Sequence, residues 1–571
     1  MSRFVGVAGI LALFFGSVAN PLGNLAAAET PLAGVWRVVG TLPAQGGGQD
    51  SILALIEVAG DENSPKVTAL THGIEPFKDA KVVEAKVKDG ELHFKLSAPM
   101  VSLGFVIVVP GSKAVRAGGH MDLRGNLLPA YVVKTDKKDL KDVKLESPAE
   151  GNDRLEAISK AETVDDKAKI ASAMIKELPG RAATMRGATL VVLAALRSGK
   201  PEKAAQVSDL AVQAGKEFGS AFSSRIIREI AGELAKEKNS ADKAVELAGA
   251  LLKDLGANPP AQQEAGLLMV LRGALEKSGK VDEAKKLTVR LETLESKLDE
   301  EFEKENIPFK PTPFAGRKTG SNRVAVVELF TGATCPPCVA ADVAFDGMLK
   351  TYGPKDVVLL QYHLHIPGPD ALTNPVSEAR QTYYEKDIEG TPTILVNGKA
   401  GPGMGGSRQG AEKSYQAATK LVNTTIADAA STIELGVDAG ASGNKVGARV
   451  TYKGLKSTEN LKLRAVLIEE VVRYPGSNGQ RLHHHIVRDF PGGVEGVALK
   501  KTEGEESFTV EIPKLREKIR GYLDGFEKEN GPFPGGLKPL DLKNLKLVVL
   551  VQNDKTHEIL QAVQADLPEV K

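Results

Sequence analysis

Cys335 and Cys338 are the only two cysteines among 571 residues. Any redox chemistry in the chain therefore belongs to this one place, and no other segment can be closed by an intramolecular disulfide. A C-x-x-C pair has three ordinary uses. A structural zinc site needs four ligands, commonly two such pairs, and there is no second pair. His363 and His365 alternate along an apolar run and read as structural or substrate-facing. A c-type haem attachment needs His directly after the second cysteine, where Val339 stands. The third use is thiol–disulfide exchange, which needs neither metal nor cofactor, and none is expected.

The surrounding residues suit that third use. The apolar run Val324–Phe330 has strand length and composition. Thr331-Gly332-Ala333-Thr334 reads as a loop, and Val339–Leu349 has helical period. The pair thus falls where a strand turns into a helix, with Pro336 and Pro337 in the first turn, where amides lack partners anyway. Free N–H groups and the helix dipole favour negative charge there, which lowers a thiol pKa and makes Cys335 the nucleophile. Cys338, one turn on, can resolve the mixed disulfide that Cys335 forms with a partner. The same atoms run the reaction in reverse.

Further along, Val357–Tyr362 reads as a strand and Thr373–Lys386 as a helix. Gly390-Thr391-Pro392-Thr393 leads into the strand Ile394-Leu395-Val396, Asn397-Gly398 is a two-residue hairpin signal, and Ser407–Ala430 is helical. In this β-α-β-α-β-β-α order, with its C-x-x-C, residues 322–430 resemble the thioredoxin superfamily. The resemblance implies a thiol–disulfide oxidoreductase acting on protein dithiols or disulfides together with a redox partner protein. It implies catalytic roles for Cys335 and Cys338 as the redox-active disulfide. It implies a cis proline at Pro392 that, with Thr391, contacts substrate backbone, and a buried acid at Glu328 that moves a proton to the resolving cysteine. Two departures leave the direction of electron flow open: the motif is Cys-Pro-Pro-Cys, and Thr334 stands where the family usually has Trp. Gly401-Pro402-Gly403-Met404-Gly405-Gly406 matches G-x-G-x-x-G formally. The acid that a dinucleotide site needs would fall inside the last helix, so the segment reads as a loop near the active site.

The elements that position this segment come from a multidomain α+β chain. Its length favours about four domains. Residues 1–28 have the order of an export signal: Arg3, an apolar run, breakers at Asn20 and Pro21, and Ala26-Ala27-Ala28. The chain is therefore expected to be exported to a periplasmic, surface or secreted location. No later run reaches the roughly 18 apolar residues of a membrane span. Residues 29–148 read as an N-terminal β-domain, with Trp36 in its core. Residues 149–306 read as α-helical hairpin repeats. Ala204, Ala244 and Ala284 recur every 40 residues just after helix starts, resembling tetratricopeptide-like units, and the face they build could take a protein partner. The prolines of 307–321 mark a linker. Residues 431–571 read as a C-terminal β-sandwich, with resemblance to sandwiches appended to thioredoxin-like domains in bacterial surface proteins. His483-His484-His485 is not expected to bind metal, because adjacent strand residues point to opposite faces.

Composition limits the alternatives. With 74 basic and 73 acidic residues the chain has no bulk charge to draw it to nucleic acid. At 42% hydrophobic and 26% charged it is ordinary globular protein, which excludes a disordered or disulfide-stapled scaffold. The competing expectation is a non-catalytic surface scaffold, in which the thioredoxin fold and the repeats only bind partners and the disulfide stays closed.

Overall fold

The structure, a computed structural model, describes residues 30–569 apart from 45–46, 62–63, 76, 78, 99–100, 110–113, 124–125, 142, 318–319, 428–429, 532 and 534–537. The export signal expected at 1–28 lies outside the described residues. The chain divides into two compact units, one reaching residue 254 and including 274–279, the other holding 255–273 and 280–571.

In the first unit an antiparallel sheet is built from β1 (Gly34–Ala44), β2 (Gly47–Asp61), β3 (Ser64–His72), β4 (Lys81–Lys88), β5 (Glu91–Ala98), β6 (Val101–Val108), β7 (Arg116–Leu123) and β8 (Asn126–Lys134), with the short β9 (Glu146–Pro148) beside β2. The strand order β3-β2-β1-β8-β7-β6-β5-β4 curls into a near-barrel. Its interior is filled by side chains. Trp36 is fully buried and donates from Nε1 to Leu32 O at 2.6 Å, and Phe94 stacks on Phe105 at 5.1 Å. Helices α1 (Asn152–Lys160), α2 (Val164–Glu177), α3 (Ala182–Arg197), α4 (Pro201–Gly215), α5 (Ser220–Leu234) and α6 (Ala241–Asp254) each pack on the next. Ser220 N donates to Glu91 Oε1 at 2.6 Å, and His120 Nδ1 lies 2.6 Å from Phe218 O, so sheet and helices share one interior. Ala204 and Ala244 are each the fourth residue of a helix and fully buried, which lets the neighbouring helix approach closely.

The second unit is organised around one mixed sheet. After α7 (Ala261–Lys277), within which the division falls, and α8 (Val281–Glu305), residues 307–324 carry no helix or strand among the described residues. Then come β10 (Ala325–Thr331), α9 (Val339–Thr351), β11 (Val357–His363), α10 (Pro375–Tyr383), β12 (Thr393–Val396), β13 (Lys399–Ala400) and α11 (Ala411–Ala427). This is the order that the sequence predicts. Asn374 caps α10 by accepting from Ser377 N at 2.9 Å, with Pro375 opening the helix. Asn397 and Gly398 take φ of 50° and 77°, which the two-residue hairpin between β12 and β13 requires.

The C-terminal segment departs from expectation. Its elements are β14 (Glu434–Ser442), β15 (Lys445–Lys453), β16 (Leu461–Arg473), β17 (Leu482–Asp489), β18 (Val497–Ala498), β19 (Gly504–Glu511), α12 (Ile512–Asn530), β20 (Leu545–Asn553) and β21 (Ile559–Asp566). They do not form a separate C-terminal β-sandwich. Five of them join the central sheet, whose order is β13-β12-β10-β11-β17-β16-β20-β21 with β18 paired to β16 off that path, and only β14, β15 and β19 make a small antiparallel sheet of their own. The reason is burial on both faces. Leu463, Ala465, Leu467, Val549 and Val551 pack with Val446, Val450 and Phe508 of the small sheet and Leu523 of α12. Val466, Ile468, Val548 and Leu550 pack with Val326, Leu360 and Tyr384. Strands apolar on both faces belong inside a sheet covered on two sides. Sheet-on-sheet packing is present, but one of the two layers is shared with the cysteine-bearing segment.

Candidate functional site: the Cys335–Cys338 disulfide

β10 is buried along its whole length, pinned between β11 in parallel and β12 in antiparallel. Such a strand presents the loop at its end at a fixed point, as a reacting group needs. The chain leaves β10 at Thr331, and Cys335 N bonds back to Gly332 O at 3.1 Å. Pro336–Cys338 then forms a single tight turn that runs into α9. Cys335 and Cys338 are joined in a disulfide with an S–S distance of 2.05 Å and Cα atoms 5.3 Å apart, at the helix start.

Across from the disulfide lies the loop before β12. The Thr391–Pro392 peptide is cis. Thr391 Oγ1 sits 3.4 Å from Cys335 Sγ, and Thr391 O sits 3.8 Å from it. The structure thus brings together Cys335, Cys338, Thr391 and Pro392, four of the residues that the sequence singles out. The glycine-rich segment passes over the same place: Gly406 N donates to Pro337 O at 2.8 Å and Gly406 O accepts from Ala340 N at 3.0 Å. A side chain at Gly405 would touch Pro392 and Pro337. This segment lines the site as a loop.

Glu328 is not brought to the cysteines. In the β10–β11 register Leu329 faces Gln361 and Thr331 faces His363, while Glu328 is paired with Leu360. Side chains alternate across a strand, so Glu328 points away from the side that carries Thr331. Its carboxylate is held by Arg380 of α10, with Nε to Oε1 at 2.9 Å and Nη2 to Oε2 at 3.2 Å, and by Tyr384 Oη at 2.8 Å.

The carboxyl on the cysteine side is Asp342, in the first turn of α9 and one helical turn beyond Cys338. Its Oδ1 accepts from Thr331 Oγ1 at 2.7 Å and from Gln361 Nε2 at 3.0 Å, while Oδ2 makes no hydrogen bond among the described residues. Burial pushes its pKa up to about 7. Sequence reasoning misses it, since an Asp in a first helical turn is ordinary dipole complement. The one available signal is its position four residues after a cysteine, on the buried side of a helix.

A second polar group braces the loop ahead of Cys335. Asp370 Oδ2 accepts from Ala333 N at 2.6 Å and lies 2.9 Å from His363 Nδ1, with both side chains fully buried. Burial alone would raise the Asp370 pKa, but the charge and hydrogen bond of His363, with amides from Leu372 and Ala333, hold it below the usual value. His365 Nδ1 accepts from Asp370 N at 3.0 Å. The three histidines of 483–485 diverge onto Tyr474 O, Asp346 and Leu359 O. Among the described residues no group of three His, Cys, Asp or Glu is placed to hold a metal ion.

The disulfide is covered. Cys335 is 1% exposed and Cys338 0%, whereas Pro336 and Pro337 between them are exposed. Part of the cover is the turn between β16 and β17. Asn478 N donates to Ala333 O at 3.2 Å, and Asn478 Nδ2 donates to Gly332 O at 3.1 Å and Cys335 O at 3.4 Å.

No protein-family model matches the chain, and no curated protein matches it in sequence. Among solved structures, the crystal structure of a thioredoxin-like protein from Bacteroides caccae matches over 45% of this chain and 95% of that one, with 12% identity and a TM-score of 0.12. At that TM-score the likeness carries no argument. The reading of the site rests on its own geometry: a C-x-x-C disulfide at a helix start, in a thioredoxin-like succession of strands and helices, facing a loop with a cis proline.

Proposed function

We propose that the protein exchanges disulfides with protein or peptide thiols through Cys335 and Cys338. The observation that carries this reading is the approach of Thr391 to Cys335 Sγ at the start of α9. A partner thiolate attacks Cys335 Sγ, the Cys335–Cys338 bond breaks, and Cys338 leaves as a thiolate. Cys338 takes a proton from Asp342, whose raised pKa keeps it protonated up to neutral pH. A second partner thiolate then attacks the partner sulfur of the mixed disulfide. It carries off the new partner disulfide and releases Cys335 as a thiolate. The partner loses two electrons and the cysteine pair gains them; the reverse sequence reduces a partner disulfide. Thr391 and Pro392 lie where partner backbone would rest beside the mixed disulfide. The leader-like order of residues 1–28 supports a location outside the cytoplasm for this activity, and the helices α1–α6 supply a face for a protein partner.

A second reading is favoured by one observation, the 1% exposure of Cys335. A disulfide so covered suits a scaffold in which the pair stays closed. The reduction potential separates the two, measured by thiol trapping across glutathione buffers. A freely exchanging pair between roughly −120 and −270 mV supports the oxidoreductase. A pair that stays oxidised and unreactive in the native protein overturns it in favour of the scaffold.

A further inference from the structure

From the way the β16–β17 turn covers Cys335, we infer that this turn, seated by Asn478, selects the partner: it admits small thiols and extended peptide segments and excludes folded proteins. This inference rests on the exchange reading above. The turn reaches the site from 143 residues further along the chain. Asn478 occupies three backbone carbonyls there, those of Gly332, Ala333 and Cys335, which an incoming backbone could otherwise use. The fit is backbone to backbone. A Cβ added at Gly476 would lie 2.5 Å from Ala333 O, closer than any real contact, so the turn cannot carry a side chain there and remain seated.

The base of the turn is held firmly. Tyr474 N donates to Arg481 O at 2.9 Å, Gly476 N to Gln480 O at 2.8 Å, and His483 Nε2 lies 2.9 Å from Tyr474 O. Arg473 and Arg481 both pair with Glu295 and Asp299 of α8. Only the tip is free, with Ser477 and Gly479 exposed. A thiolate must approach Cys335 Sγ in line with the bond it breaks, at a residue whose carbonyl is held by this anchored turn and whose sulfur lies 3.4 Å from Thr391 Oγ1. A small thiol or a single extended strand fits such an approach. A convex folded surface meets the turn first.

The test compares two reductants, dithiothreitol and reduced thioredoxin, on the native full-length protein. Three chains are used: wild type, Asn478→Ala, and Gly476→Val, which unseats the turn by a different route. Both variants are expected to raise the second-order rate with reduced thioredoxin by about tenfold or more, and to leave the rate with dithiothreitol within about threefold. Equal acceleration of both reductants, or acceleration of neither, overturns the inference while leaving exchange intact. If the disulfide in all three chains opens only at a rate independent of reductant concentration, as unfolding would dictate, the exchange reading itself fails and this inference with it.

Discussion

The two faces of β10 carry buried charge in opposite ways. On the face with Glu328, every nitrogen of the Arg380 guanidinium has a partner: Glu328 Oε1, Glu328 Oε2 with Tyr384 Oη, and Gln552 Oε1. Gln552 Oε1 in turn accepts from Arg464 Nη1 at 3.2 Å, and Arg464 Nη2 reaches Asp554 Oδ1 at 2.6 Å. On the face with Thr331, Asp342 keeps Oδ2 and His363 keeps Nε2 without a hydrogen bond among the described residues, although both side chains are buried. A buried ion pair with all its atoms matched is costly to disturb and inert to protons. A buried carboxyl with a free oxygen is poised to exchange one. The first arrangement fixes where the central sheet lies against α10. The second lies where the cysteine chemistry is. Charge alone, read from sequence, does not distinguish them; partner count does.

The largest effect should come from breaking the matched face. Arg380→Met leaves the Glu328 carboxylate buried without its cation, and a loss of roughly 3–5 kcal/mol of unfolding free energy is expected in urea titration. Adding Glu328→Gln to that variant should recover most of the loss. Neither change should move the reduction potential of Cys335–Cys338, because Glu328 faces away from it. A shift in potential with Arg380→Met would show that the two faces are coupled and would collapse the contrast.

Asp342→Asn tests the open face with an effect of opposite sign on stability. The folded pKa of Asp342 stands near 7, above its ordinary value of 3.8, so between those values the folded chain holds a proton that the unfolded chain has released. Wild-type stability therefore falls as pH rises from about 4 to about 7. Asparagine removes that penalty, so the variant should gain up to a few kcal/mol over wild type above pH 7 and little below pH 4. Disulfide exchange should slow about 10- to 100-fold and lose its inflection near neutral pH. A variant with an unchanged pH–rate profile would leave Asp342 as a packing residue only.

Much of the fold around the site is legible in the amino-acid sequence. Each element from β10 to α11 shows in apolar runs and punctuation, because β-branched strands, Asn374-Pro375 and Asn397-Gly398 are local signals. The cysteine pair, Thr391 and Pro392 are legible for a chemical reason, the spacing of two cysteines and the family resemblance of the residues around them. Register and partnership are not legible in this way. Glu328 lies in the expected strand, but one residue of alternation decides which face it serves, and composition does not reveal that face. The shared sheet is hidden because a two-faced buried strand such as Leu547–Val551 and a sandwich strand are both short apolar runs. Asn478 is hidden because nothing local ties a polar turn to a loop 143 residues earlier.

The smallest predicted effect sharpens the contrast within a single helix. Asp346 lies on α9 one turn beyond Asp342, but its carboxylate is matched: Oδ1 is 2.7 Å from His484 Nδ1, and Oδ2 accepts from Asn306 Nδ2 at 2.6 Å. Burial works against charge on His484, but Asp346 outweighs it, and the imidazole pKa rises above 6.5. A pKa raised on folding contributes stability that is complete below the unfolded value of about 6.5 and is lost as pH climbs through the folded value. With the imidazole about a quarter exposed, solvent weakens the pair. His484→Gln should therefore cost about 1 kcal/mol at pH 5.5 and close to nothing at pH 9. Stability referenced to His484→Gln falls with rising pH because a cation is lost, whereas stability referenced to Asp342→Asn falls because an anion is forced to form. If His484→Gln shows a cost that does not change with pH, folding leaves the proton affinity of the imidazole unchanged, and Asp346 does not favour its charged form. Asp346 would then be held by hydrogen bonds alone, and the difference between the two carboxyls of α9 would lie in their desolvation and not in their partners.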